Sequence, residues 1–185
     1  MKIVHLCLGC FYIDNHSYQE NLLPKYHKKM GHDVSIVASR VSFDENGGSC
    51  LVDSGSYLNE HSIPVTRLDY IKGVSISKFM RLYNGTYETL VKEKPDLIFI
   101  HGCQFCDIRE VVKYIKNNRS IQVFVDNHAD FSNSATNWLS KNILHKIIWR
   151  YCASIIEPYT KMFYGNKLLE RVLHVYLNIG KAQRT

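Results

Sequence analysis

Residues 2–39 read KIVHLCLGCFYIDNHSYQENLLPKYHKKMGHDVSIVAS. The first seven of these are mostly apolar and partly β-branched and end at Gly9, which is the pattern of a buried strand. A polar loop follows from Cys10 to Ser17. Residues 18–30 then place Leu22, Leu23, Tyr26 and Met30 at helical spacing, and Gly31 marks the stop. Pro24 inside this pattern implies a kinked helix or one that begins near it. Residues 33–39 (DVSIVAS) give a second apolar strand. A strand, a helix and a strand within about forty residues imply a parallel pair joined by a right-handed crossover.

The alternation continues outward from this unit. Residues 40–70 read as a loop with a small β excursion, carrying Gly47, Gly48, Gly55 and a short strand-like segment from Ile63 to Leu68. A helix is expected near 75–93, a strongly buried strand at 97–101 (LIFIH), a helix at 106–118 and a strand at 121–126. A helix at 135–151, a short strand near 153–156 and a last helix opened by Pro158 complete the expectation. Strands apolar nearly throughout are strands covered on both faces. The fold class is therefore α/β: a Rossmann-like, doubly wound, mostly parallel sheet with helices on both faces. The 185 residues suffice for one such domain.

Composition narrows the function classes. The formal charge is +6, and the basic residues recur along helix-like stretches such as Lys25, Lys28 and Lys29 instead of forming one block. Anionic lipid, nucleic acid and phosphorylated small molecules are all compatible with that excess; solvated helix faces account for it more simply. No run of eighteen apolar residues calls for a membrane span. The N-terminus reads as the first strand and not as a signal peptide, so a cytoplasmic chain with six reduced cysteines is expected.

In a doubly wound sheet ligands lie outside the carboxyl ends of the strands. That edge collects Gly9, Cys10, Asp14 to Tyr18, then His101 to Gln104, then Asp126 to Phe131, and on this reading Glu157 to Thr160. Gly9 stands alone where a dinucleotide fingerprint would need three glycines, so an NAD-type turn is not indicated. His128 follows a buried strand between Asp126 and Asp130. It could serve as a base or hydrogen-bond donor held by a carboxylate, or cap the next helix. His101 is equally open between a site role and a buried structural one. Cys7-x-x-Cys10 and Cys103-x-x-Cys106 raise the possibility of zinc or redox chemistry, but the strand position of Cys7 favours ordinary packing.

Several of these stretches, in this order, resemble family 4 (group 1) GT-B glycosyltransferases. Tyr18 to Tyr26 followed by Gly31-His32-Asp33-Val34 resembles their first helix and second strand. Lys94-Pro95-Asp96-Leu97-Ile98-Phe99-Ile100-His101-Gly102 resembles a later strand of theirs. Val125 to Asp130 resembles the segment holding their active-site histidine or aspartate, and Ile156 to Lys161 the stretch before the crossing to the second domain. The resemblance covers about residues 1–165, and residues 166–185 read as an atypical tail with amphipathic helical spacing.

The resemblance implies a retaining transfer of a sugar from a nucleotide-diphospho sugar to a saccharide or lipid-linked acceptor. It implies no metal and no cofactor beyond that co-substrate, and no nucleic-acid partner. His128 would lie beside the transferred sugar. Tyr18, His101, Gly102 and Asp130 would line the acceptor side, and Gly9 would approach the donor diphosphate. A donor-binding domain acting in trans or a second copy of the chain are the partners it implies, with peripheral contact at the inner membrane face. The alternatives are a non-catalytic Rossmann-like module that binds a saccharide or protein, and an unrelated flavodoxin-like enzyme.

Overall fold

In the computed structural model, which describes residues 1–44, 46–126, 138 and 140–164, the chain opens with β1 (Lys2–Cys7), α1 (Gln19–Lys29) and β2 (Asp33–Ser39). A ribbon of β3 (Val41–Phe43) and β4 (Ser49–Leu51) follows, then β5 (Gly55–Leu58) and β6 (Pro64–Leu68). Next come α2 (Ser77–Met80), α3 (Thr86–Glu93), β7 (Leu97–His101), α4 (Ile108–Asn117) and β8 (Gln122–Asp126). The described chain ends with α5 (Ser140–Trp149), wound wide as a π-helix, α6 (Arg150–Ile156), a 3₁₀ turn at Glu157–Tyr159 and β9 (Met162–Tyr164). The tail at 166–185 lies outside the described residues.

The main sheet has the order β5-β6-β2-β1-β7-β8-β9. All its pairs are parallel except β5 with β6. Numbering the parallel strands alone along the chain gives 3-2-1-4-5-6, the Rossmann order, with its switch point between β1 and β7. Each face buries its own cluster. Val4 and Leu6 join Val37, Ile98, Ile100, Val111 and Ile156 under α3, α4 and α6. Ile3 and Cys7 join Val34, Ile36, Ala38 and Val65 on the side of α1. The alternation along β1 follows from the period of two in strand side chains, and both halves are apolar because both faces are covered.

Pro24 is accommodated inside α1, where it is buried. It removes one amide donor from the helix, and the chain before it is held instead by the Asn21 and Leu22 amides donating to the Tyr18 carbonyl at 3.0 and 2.9 Å. Three expectations change. The helix near 75–93 is broken into α2 and α3 by Arg81 and Gly85, both at positive φ (52° and 91°). The broken segment instead bridges Tyr70 to Tyr83. The excursion at 40–70 contributes β5 to the main sheet as an antiparallel edge strand. The apolar run at 153–156 is helical, not a strand, since so short a run carries no decisive period. The sixth parallel strand is β9, so Glu157 to Thr160 precede it and lie at the amino edge, away from the other strand-end loops.

At the switch point the loops after β1 and β7 meet backbone to backbone. A Cβ built on Gly9 would lie 2.3 Å from the Gly102 carbonyl oxygen and 3.1 Å from the Gln104 amide nitrogen. Gly102 itself sits at φ 80° and donates its amide to the Asp126 carbonyl at 2.8 Å. Replacing Gly9 by alanine must therefore force two loops apart. The expected loss in urea unfolding is about 2 kcal/mol or more; a Gly9→Ala variant as stable as its parent would contradict the contact.

Candidate functional site at the switch point of the sheet

The Gly9 and Gly102 loops are held together by a cation. Arg81 Nη1 donates to the Gly9 carbonyl and, at 2.8 Å, to the Gln104 carbonyl. Its guanidinium stacks over Trp149, 5.5 Å from the ring centroid. The Tyr83 hydroxyl donates to the Leu8 carbonyl at 2.8 Å, and the Cys106 amide to the Met80 carbonyl at 3.0 Å. The broken helix is thus what brings Arg81 to the carboxyl edge. Five fixed N–H groups and a permanent charge suit a guanidinium for bridging carbonyls and for attracting phosphate.

The loop from Leu8 to Tyr18 leaves β1 at this edge. It is pinned by Arg67, which is 3% exposed. Arg67 donates to the Ser39 carbonyl at 2.8 Å, the Tyr12 carbonyl at 3.1 Å, Asp14 Oδ2 at 3.0 Å and the Tyr57 hydroxyl at 3.0 Å. Tyr57 in turn donates to both Asp14 oxygens. A buried guanidinium satisfied on every side fixes a loop geometry that apolar contacts alone would leave loose.

On the α1 side a polar chain runs inward from the edge. Gln19 Nε2 donates to Asp126 Oδ2 at 2.6 Å, and that oxygen lies 3.4 Å from His101 Nδ1. His101 Nε2 is 2.9 Å from His5 Nδ1, and His5 Nε2 is 3.0 Å from His27 Nδ1. Burial beside His101 and His27 holds the His5 imidazole well below its ordinary range, so the ring is neutral.

Five of the six cysteines divide between two places, and Cys50 lies apart in β4. Cys10 is a free thiol hydrogen-bonded to Cys7, and that bond together with burial pushes the Cys10 thiol up. Cys106 lies 3.9 Å from Cys152, and burial also pushes Cys103 and Cys152 up. Protonated thiols are weak nucleophiles and poor metal ligands. Among the described residues no group of three His, Cys, Asp or Glu side chains is arranged to hold a metal ion. No helix among them is long and apolar enough to cross a membrane.

No family model and no curated protein matches the sequence. Among solved structures, UDP-GlcNAc 2-epimerase from Methanocaldococcus jannaschii is similar over 97% of this chain and 43% of its own, at 14% identity and a TM-score of 0.47. An isochorismatase-like hydrolase from Alkaliphilus metalliredigens is similar over 95% of this chain and 100% of its own, at 12% identity and a TM-score of 0.38. The chain therefore spans less than half the length of the epimerase. Neither likeness bears on activity, and the Rossmann-like assignment stands on strand order and direction.

Of the residues that the sequence pointed to, Gly9, His101 and Gly102 come together at the switch point. The His101 ring is enclosed, so its route to the edge runs through Asp126. Tyr18 is exposed at the start of α1 and stacks on His16, with ring centroids 5.4 Å apart. His128 and Asp130 lie outside the described residues. Sequence reading missed Arg81, which sat inside an apparent helix; the Asn84-Gly85 pair is the turn signal that could have broken that helix. It also missed His5 and His27, whose positions read as strand interior and helix surface.

The loop after β7 is anchored at its far end by Asp107, which accepts hydrogen bonds from the Thr86 hydroxyl and the Tyr83 amide. Burial raises its carboxyl from an ordinary 3.8 to about 6 in spite of those bonds. Between these values the folded chain keeps a proton that the unfolded chain has released. Stability therefore falls as pH rises from 3.8 to about 6, and above that the full penalty applies. It amounts to about 3 kcal/mol. Asp107→Asn removes this contribution, so its stability relative to the parent, measured by urea unfolding, should increase from about pH 4 to about pH 7. A constant difference would show that Asp107 titrates normally.

Proposed function

We propose that this chain is the N-terminal, acceptor-side domain of a retaining GT-B glycosyltransferase. It would move a sugar from a nucleotide-diphospho sugar to a saccharide or lipid-linked acceptor, with a donor-binding domain completing the cleft. The observation that supports this reading most is the closed junction of Gly9 and Gly102 beneath Arg81 at the switch point. A cleft at that place, with close-packed backbone and one fixed cation, suits a ligand whose leaving group is a diphosphate. Breaking the sugar–phosphate bond leaves negative charge on the phosphate oxygens, and a preorganised guanidinium stabilises such charge without reorganising.

The remaining roles follow from position along the chain. His128 comes two residues after Asp126, the last residue of β8, and is proposed to hydrogen-bond the transferred sugar or polarise the reacting groups. Tyr18 offers an exposed ring at the start of α1, of the sort on which a sugar face stacks. Asp130 and the Gly102 backbone are proposed to contact acceptor hydroxyls. The buried His101 would act on them only through Asp126.

Transfer of label from a panel of nucleotide-diphospho sugars to saccharide and lipid-linked acceptors tests the reading, with and without a donor-binding domain supplied. His128→Ala should lower turnover about 100-fold or more while leaving acceptor binding in place. Arg81→Met should weaken retention of the nucleotide-diphospho sugar about tenfold or more, in keeping with the loss of a charge-assisted contact. Unchanged turnover in His128→Ala, with weakened acceptor binding, would instead mark a saccharide-binding module.

A further inference from the structure

The α1 face of the sheet is largely apolar along β1, β2 and β6, and two buried polar side chains interrupt it, Arg67 near the end of β6 and His5. His5 projects from the middle of the central strand and is 0% exposed. Both of its ring nitrogens meet the nitrogen of another imidazole: Nδ1 is 2.9 Å from His101 Nε2, and Nε2 is 3.0 Å from His27 Nδ1. His101 continues the chain to Asp126 Oδ2 at 3.4 Å. Asp126 ends β8 at the carboxyl edge, in register with His101, while His27 lies near the C-terminal end of α1, half-buried and beside His32 at 6.2 Å between ring centroids. The groups facing His5 are therefore His27 from α1, His101 and Phe99 from β7, and beyond His101 the Asp126 carboxylate, which also receives Gln19.

Hydrogen-bond accounting fixes how this chain can be protonated. A neutral imidazole has one N–H donor and one bare acceptor. His5 must therefore donate at one end and accept at the other, and its choice dictates those of its neighbours. When Asp126 is a carboxylate, its Oδ2 lies 3.4 Å from His101 Nδ1, which has no hydrogen-bond partner among the described residues, and the charge favours a proton on that nitrogen. The Nε2 atom of His101 then accepts from His5 Nδ1–H, and the Nε2 atom of His5 accepts from His27 Nδ1–H. All three rings carry their proton on Nδ1, and both ring-to-ring bonds point toward Asp126. The other arrangement that keeps both bonds is the reverse, in which Asp126 is protonated and every ring carries its proton on Nε2.

We propose that His27, His5, His101 and Asp126 form a proton relay between the carboxyl edge of the sheet, where the candidate site lies, and the surface beside the α1–β2 turn. The two arrangements differ by one proton. A proton taken from solvent at His27 Nε2 releases the Nδ1 proton of His27 to His5 Nε2. His5 then passes its Nδ1 proton to His101 Nε2, and His101 passes its own to Asp126 when the 3.4 Å separation between them closes to a hydrogen bond. One proton enters, one arrives, and no ring holds a lasting charge. That matters for His5, because burial opposes its cationic form. Return of the proton restores the first arrangement. The relay is indifferent to which reaction the site performs, so it can fail or stand independently of the glycosyl-transfer reading.

Imidazole ¹⁵N nuclear magnetic resonance on the full chain tests it, because ring nitrogen shifts report which nitrogen holds the proton. At about pH 8, His5 and His101 should both be in the Nδ1–H form. Their ring protons should exchange with solvent about tenfold or more faster than the β1 backbone amides, which exchange only when the strand opens. His27→Phe keeps a ring at that place but removes the entry point, so His5 ring exchange should slow about tenfold or more toward the β1 amide rate. His27→Gln, which can still hydrogen-bond His5 but cannot relay, should do the same and serves if the phenylalanine variant does not fold. A merely structural histidine ladder predicts the same His5 ring exchange in the folded His27 variants as in the parent, because its rings exchange only when the strand opens. That result would overturn the proposal, as would an Nε2–H form of His5 with Asp126 ionised.

Discussion

Two backbone loops closer than any side chain would allow fix the geometry at the centre of this fold. In a parallel sheet that winds outward in both directions from its middle, the loops leaving β1 and β7 go to opposite faces, and a crevice opens between them. Here the mouth of that crevice is set by Gly9 against the Gly102 carbonyl. The absent side chain at Gly9 is accounted for by the chain's own backbone. Arg81 then converts a steric contact into a bonded one, because one guanidinium nitrogen accepts no competitor while it serves both the Gly9 and Gln104 carbonyls. Those two carbonyls lie in the loops beyond β1 and β7, where the sheet offers them no partner, and Arg81 supplies one.

Much of this was legible in the sequence because it depends on period and punctuation. Apolar runs of five to seven residues separated by helical spacing required a parallel sheet, and β1, β2, β7 and β8 fall within a residue or two of where the pattern puts them. What escaped were features that depend on partners distant in sequence. The helix expected over 75–93 has adequate propensity throughout, yet Arg81 and Gly85 adopt positive φ because the segment is recruited to cover two loops. The run Ala153 to Ile156 has no period long enough to choose between strand and helix, and packing on α4 chooses helix. The histidines were read one at a time. His101 at the end of a strand stayed open between a site role and a buried structural one, and His5 within a strand was not singled out. Only the register of β1 against β7 makes them neighbours.

That register also explains why a polar chain can exist in so apolar a place. Burying a neutral imidazole with an unmet nitrogen is costly, whereas a ring served on both sides, as His5 is, leaves neither nitrogen unmet. His5 is paired on both sides, so its cost is met only while His27 and His101 are both present and correctly protonated. The ladder therefore couples α1 to β1 and β7 in a way that apolar packing does not, since a leucine tolerates rotation of its neighbour and a two-sided hydrogen bond does not.

β1 thus has two jobs that must be compatible. Its carboxyl end delivers Gly9 to the crevice, and its middle delivers His5 to the α1 face. The pleat separates them: Gly9 follows the strand, while His5 shares the α1-facing side with Ile3 and Cys7. A one-residue slip of β1 would turn His5 into the α3–α4 cluster, where no nitrogen awaits it, and would move Gly9 off the Gly102 carbonyl. Both penalties fall on the same displacement, so the polar ladder and the glycine contact select the same register. Apolar strands covered on both faces specify register weakly, because either side of the strand can be buried. In this chain the exceptions to apolarity supply the missing specification, and the crevice at the switch point keeps its shape as a result.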